Sequence, residues 1–190
     1  MPHTSEVQIG LPDWVDSLVD WQRPYPTDED KMVLVIQLSR ENIQRGTGGP
    51  FGAAVFQRES GRLVSVGVNQ VVPLNNSLLH AEVVAFMLAQ AALGSYTLGA
   101  EGMPAHELVT SCDPCAMCFA AILWAGVQRV VTGASHKDAK RQAFDEGPVF
   151  SRSHEYMQER GIEFVRGVMR EEASRVLEQY GRRGGVVYNG

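Results

Sequence analysis

Two short runs constrain this chain more than any other part of it: His80-Ala81-Glu82 and Pro114-Cys115-Ala116-Met117-Cys118. One imidazole and two thiolates supply three ligands for a tetrahedral zinc. The fourth position stays open, as in a catalytic rather than a structural site. If all three meet, the fold brings two distant segments to one point. Cys115 and Cys118 are three residues apart, so on a helix they share a face. Glu82 follows His80 by two residues, within reach of a metal-bound water and poorly placed to be a ligand itself. Two plainer readings compete. In one, the cysteines are buried apolar thiols. In the other, the metal is structural and Cys112 completes the ligand set. Cys112 precedes Pro114 and the turn into the helix, so it is expected to point elsewhere.

The rest of the chain frames this pair of motifs. Its 190 residues, 44% hydrophobic and 21% charged, fit one soluble domain with a substantial core. It has no run of eighteen apolar residues, which argues against a membrane span. The opening Met-Pro-His-Thr-Ser-Glu does not read as a secretory signal. Three cysteines, two of them committed to metal, leave Cys112 without a disulfide partner and point to a reducing, cytoplasmic setting. The net charge of −5 disfavours a nucleic-acid backbone as partner and favours a small free substrate. Lys137, Lys140 and Arg141, and Arg182 with Arg183, read as solvated faces.

Residues 1–27 show no period and read as an N-terminal extension, with Trp14 and Trp21 as anchors. Acids at Asp28, Glu29 and Asp30 open a helix over 28–45, which stops at Gly46. Strands over 52–57 and 62–68 form a hairpin around Ser60-Gly61. Asn69 lies where the second strand ends, and 70–78 is a polar loop. A helix over 79–93, a strand over 107–110, a helix over 115–125 and a strand over 127–132 follow. A helical turn at 137–142, a helix over 151–160, a strand over 162–166 and a helix over 170–180 complete the order. This alternation implies one domain over 28–190, a sheet with helices on both faces. His80 and Cys115 then fall at helix N-termini, whose partial positive charge favours thiolates. The stretch after Val176 reads as an apolar helix, a Gly-rich run and then Val186, Val187 and Tyr188. It is expected to dock as a lid over about 176–190.

Several motifs in order identify the chain as similar to the cytidine-deaminase-like superfamily. They are Gly49-Pro50-Phe51-Gly52-Ala53, Val68-Asn69, His80-Ala81-Glu82, Cys112-Asp113-Pro114-Cys115-Ala116-Met117-Cys118, Phe144-Asp145-Glu146-Gly147 and Tyr188-Asn189. The pairing of H-x-E with P-C-x-x-C is the mark of zinc nucleobase deaminases. Within the superfamily the chain most resembles bacterial guanine deaminases, including those that also accept the aminotriazine ammeline. The resemblance covers roughly residues 28–190. It implies a three-layer α-β-α sandwich with a five-stranded mixed sheet, and a homodimer. It also implies a C-terminal segment that closes over its own or a partner's active site. Many such enzymes have Glu where this chain has Asp113.

The resemblance also implies roles. His80, Cys115 and Cys118 hold zinc, which makes hydroxide available near neutral pH. Glu82 shuttles protons among water, ring nitrogen and departing ammonia. Asn69 hydrogen-bonds the base edge, and Phe51 and His80 sandwich its ring. Ala81, Pro114, Phe144, Asp145 and Tyr188, with Asn189, line the rest. Glu146 is a second acid, with Asp145 as its alternate. The implied reaction is hydrolysis of guanine to xanthine and ammonia. The competing readings are a deaminase of cytosine, a nucleoside, a triazine or tRNA adenosine, and a zinc scaffold without turnover. A scaffold has no need of Glu82.

Overall fold

The computed structural model describes residues 4–188. Its helices are α1 (Trp14–Leu18), α2 (Asp28–Gln44), α3 (Ala81–Leu93), α4 (Ala116–Ala125), α5 (His136–Arg141), α6 (Ser151–Glu159) and α7 (Arg170–Arg182). Its strands are β1 (Gly52–Gln57), β2 (Leu63–Val68), β3 (His106–Cys112), β4 (Arg129–Ala134) and β5 (Glu163–Arg166). They form one sheet in the order β2-β1-β3-β4-β5. The hairpin strand β1 runs antiparallel to both β2 and β3, whereas β3, β4 and β5 are parallel. Parallel neighbours need crossovers. Here α4 joins β3 to β4, and α5 and α6 join β4 to β5.

Side chains alternate across a strand, and that alternation sorts the core into two layers. Ala54, Phe56, Val109 and Val131 pack with Met32, Val35, Leu38, Val176 and Leu177 of α2 and α7. Their neighbours Val55, Leu108 and Val130 pack on the opposite face with Ala85, Ala89 and Ile122 of α3 and α4. Every residue of β3 is buried, as expected of a strand covered on both sides. Helix boundaries follow local chemistry. Thr27 caps α2 by accepting from the Asp30 N–H at 3.0 Å, and Gly94 and Gly126 end α3 and α4 in the left-handed conformation. No helix among the described residues is long and apolar enough to cross a membrane.

Three expectations need correction. The extension contains a helix, α1. Its five residues are too few for a period to register, yet Val15 is fully buried and Trp14 donates from Nε1 to Thr47 Oγ1 at 3.0 Å. Trp21 packs against the same core layer. Helix α3 starts at Ala81 rather than Leu79, because His80 is its extended N-cap. The C-terminal helix is amphipathic rather than apolar, burying Ala173, Val176 and Leu177 and continuing to Arg182. Beyond α1 the extension runs along the hairpin, where Pro24 bridges Arg62 and the Tyr25 N–H donates to Gly61 O at 2.9 Å.

A buried ion cluster ties α2 to the sheet. Glu107 of β3 is fully buried; it accepts from Lys31 Nζ at 2.6 Å and from Arg129 Nη1 at 2.7 Å. Arg129 also grips both carboxylate oxygens of Asp28, which holds Asp28 below its ordinary pKa. Removing one partner of such a cluster leaves a buried charge poorly compensated. Lys31→Met should therefore cost about 3 kcal/mol in urea unfolding while leaving bound zinc unchanged.

Candidate active site

The C-terminal end of β3 turns directly into α4, and the N-terminus of α3 lies beside that turn. His80 is the N-cap of α3 and Cys115 the N-cap of α4, and neither side chain is used in capping. Cys118 follows in the first turn of α4 and is fully buried. One ligand atom from each of His80, Cys115 and Cys118 falls in a group whose members all lie within 4.8 Å of one another. His80 Nδ1 is 3.5 Å from Cys115 Sγ. Zinc bonds of about 2.0 Å to nitrogen and about 2.3 Å to sulfur, set tetrahedrally, require a separation of this size. Cys112 is buried apart from this group, with its Sγ directed at Ser135 O.

The protonation of the three groups also fits a cation. The neighbouring Cys118 thiol and the His80 ring hold Cys115 down to about 4, in spite of its burial. Cys118 is pushed well up, first by its bond to Cys115 and then by burial. Burial alone would lower His80, but the bond to Cys115 and the charges of Glu82 and Cys115 raise it. A thiolate at Cys115 and a thiol at Cys118 share one spot with the His80 ring, so a metal taken up there displaces protons.

Glu82 sits one residue into α3 and is only 6% exposed. Thr110 Oγ1 donates to its Oε1 at 3.3 Å, and its Oε2 lies 3.4 Å from Cys118 Sγ. The carboxyl thus faces the ligand group on one side and is held from behind on the other. Burial raises its pKa, and the Cys115 charge adds to this.

A cavity of about 40 Å³ opens onto this group, lined by Phe51, His80, Glu82, Asp113, Cys115, Phe144, Asp145, Glu146 and Tyr188. A far larger groove of about 810 Å³ runs between α4 and α6, but His80, Glu82, Cys115, Cys118 and Glu146 do not line it. The chemistry marks the small cavity as the site. Phe51 meets Phe144 edge-on at 5.1 Å. Tyr188 meets Phe144 at 5.4 Å and His80 at 6.2 Å. Glu146 is 6% exposed, and its backbone oxygen accepts from the Ala116 N–H at 2.9 Å. Burial, reinforced by the charges of Cys115 and Glu82, pushes its pKa up to about 8. Asp145 also lines the cavity but is exposed, and it accepts from the Gly147 N–H at 2.9 Å.

Asn69 does not line the cavity itself. It is fully buried beside Gly49, and its Nδ2 has no hydrogen-bond partner among the described residues. The Tyr188 hydroxyl is buried and unpartnered in the same way. A Cβ added to Gly49 would collide with that hydroxyl and come within 3.0 Å of Asn69 Oδ1. Two side chains that each carry an orphaned polar atom therefore converge on one glycine. Ala81 and Pro114 stand back from the cavity. Ala81 packs in the core layer of α3, and Pro114 O accepts from His136 Nε2 at 2.8 Å. Asn189 lies outside the described residues.

Three residues at the site were given no role from the sequence. Asp113 lines the cavity and accepts from Thr132 Oγ1 at 2.6 Å. His136 approaches Glu146 Oε2 to 4.0 Å. Thr110 carried a signal, because two positions after Leu108 on one strand it must face α3.

Residues 26–134 match the model of the cytidine and deoxycytidylate deaminase zinc-binding region. A guanine deaminase from Bacillus subtilis is 35% identical over 139 residues, which is 73% of this chain and 85% of that protein. The solved structure of a guanine deaminase from Nitrosomonas europaea superposes with a TM-score of 0.90 at 40% identity, covering 96% of this chain and 100% of that one. A structure in complex with 2,6-diaminopurine superposes with a TM-score of 0.89 at 43% identity, covering 96% of each chain. The five-stranded mixed sheet and the His-Cys-Cys group agree with these matches, and the chain belongs to the cytidine and deoxycytidylate deaminase family of zinc-dependent enzymes.

Proposed function

We propose that this enzyme hydrolyses free guanine to xanthine and ammonia. The observation that carries this reading is the enclosure, in one small cavity, of a metal-ligand triad and two buried acids, Glu82 and Glu146. The guanine deaminases among its relatives and the diaminopurine bound to a similar structure support a purine.

His80, Cys115 and Cys118 are the side chains that would hold zinc, which when bound makes a water acidic enough to be a nucleophile near neutral pH. Glu82 would take a proton from the attacking water as the water oxygen adds to C2 of guanine, and would pass that proton to the adjacent ring nitrogen. Glu82 then carries the proton of the new hydroxyl to the amino group. The C2–N bond breaks, ammonia leaves and the carbonyl of xanthine remains. Glu146, whose pKa burial raises to about 8, supplies a second proton donor on the purine side. Asn69 and the Tyr188 hydroxyl are unpartnered donors suited to the acceptor edge of a base. Phe51 and His80 flank the ring, Phe144 and Asp145 complete the cavity wall, and Ala81 and Pro114 lie behind it.

We further read residues 1–27 as an extension, about 176–190 as a lid and the working unit as a cytoplasmic homodimer. The three unpaired cysteines support a reducing compartment. Exposed Trp124, Tyr96 and Phe150 around α3, α4 and α6 support a partner surface.

Ammonia release across guanine, adenine, cytosine, their nucleosides, aminotriazines and a tRNA tests the substrate. Guanine should lead in kcat/KM. A nucleoside, cytosine or tRNA turned over much faster would assign a different member of the family. Glu82→Gln should retain zinc and fold and lose about 10²- to 10⁴-fold in kcat.

Metal analysis tests the ligand set. Cys112→Ser should keep one zinc per chain, and Cys118→Ser should lose it; zinc lost from the first variant would make Cys112 a ligand. Removal of residues 184–190 should raise KM or lower kcat on guanine with zinc retained. Glu146→Gln should lower kcat alone. Wild-type kinetics from both would leave the tail and the acid outside the reaction.

A further inference from the structure

Tyr180 lies near the end of α7, outside the cavity, and it touches both elements that close the cavity. Its hydroxyl donates to Val186 O at 2.8 Å. Its backbone oxygen accepts from the Gly185 N–H at 3.1 Å. Gly184, at φ +67°, reverses the chain after the helix. The backbone of Gly185 then lies flat on the Tyr180 ring, where a Cβ would collide with three ring carbons. The other contact is with Phe144, whose ring stacks on that of Tyr180 at 6.1 Å and 24°. Phe144 in turn carries the edge of Tyr188 and lies two residues before Glu146. One phenol ring therefore bears on the tail that ends in Tyr188 and on the loop that ends in Glu146.

We infer that Tyr180 is a positioning residue for the deamination: its hydroxyl and ring hold Tyr188 and the Phe144–Gly147 loop in register with each other over the cavity. The inference rests on the guanine reading for its substrate but not for its geometry. The tail is short, and after Gly184 its path is set by few contacts. A hydrogen bond to Val186 O and a glycine pressed on a ring give it one seat rather than many. Packing of α7 onto the sheet does not need the hydroxyl, since the helix buries Ala173, Val176 and Leu177 for that purpose.

Three variants separate the positioning role from simple packing. Tyr180→Phe keeps the ring and loses the bond to Val186 O. Gly185→Ala leaves Tyr180 intact and pushes the tail off its face. Tyr180→Leu removes the ring from Phe144 as well. Each is measured as the zinc-loaded full chain for guanine KM and kcat. Each is also measured without substrate for the rate of trypsin cleavage after Arg182 or Arg183, identified by mass. Tyr180→Phe and Gly185→Ala should raise KM about 3- to 10-fold, the worth of one neutral hydrogen bond, with kcat near wild type. Both should speed cleavage at the tail. Tyr180→Leu should lower kcat as well, because the loop carrying Glu146 loses its support. Wild-type KM and wild-type cleavage in Tyr180→Phe and Gly185→Ala would overturn the inference, whatever Tyr180→Leu does. If the wild type does not turn over guanine, the function reading fails, and the cleavage rates alone then decide the role of Tyr180.

Discussion

The site depends on one constraint of the sheet: β3 is paired on both sides. Its antiparallel bond to β1 and its parallel bond to β4 leave its C-terminal end in the middle of the molecule. The chain must turn there, and the turn carries Asp113, Pro114 and Cys115 into α4. The hairpin partner β2 lies under α3, with Gly67 admitting the Ala81 backbone so closely that a side chain would clash. That contact brings His80 and Glu82 to the same end of the sheet. Ligands and acid are therefore positioned by backbone pairing and helix seating, and the metal completes an arrangement that the core has already assembled.

Glu82 illustrates how such a core tunes a buried acid. A carboxyl this deeply buried resists ionisation. Thr110 occupies one of its oxygens and leaves the other toward the ligands. Glu146, which lines the same cavity, is tuned in a similar way, since burial raises its pKa. Two acids with raised affinity for protons thus line one small space.

Much of this was legible in the sequence because it depends on spacing and punctuation. The i, i+3 cysteines, the glycine stops at Gly94 and Gly126 and the acidic start at Asp28 each carry their local structure in a few neighbouring residues. The hairpin over β1 and β2 and the order of the central strands are of the same kind. What was hidden depends on contacts between segments far apart. Helix α1 is too short for a period and owes its existence to the burial of Trp14 and Val15. The clasp of Tyr180 on Val186 and Phe144 appears only once α7 has been seated. Asn69 and Tyr188 are ordinary polar residues in sequence; their convergence on Gly49 is a property of the folded chain. Ala81 illustrates the reverse: its motif position is plain in the sequence, but the seat of its side chain in the core appears only in the fold.

The path of the N-terminal extension bears on how the sheet meets other molecules. An open sheet ends in strands whose unpaired N–H and C=O groups invite a further strand. Here β5 is only four residues long and starts at Glu163, a carboxylate bound by Arg58 and Arg129. At the other edge, Pro24 crosses beside the start of β2, and proline has no N–H to offer an incoming chain. One border is shortened and charged, and the other is partly covered by a residue that cannot propagate the ladder. Both borders of the sheet thus offer little to an incoming strand.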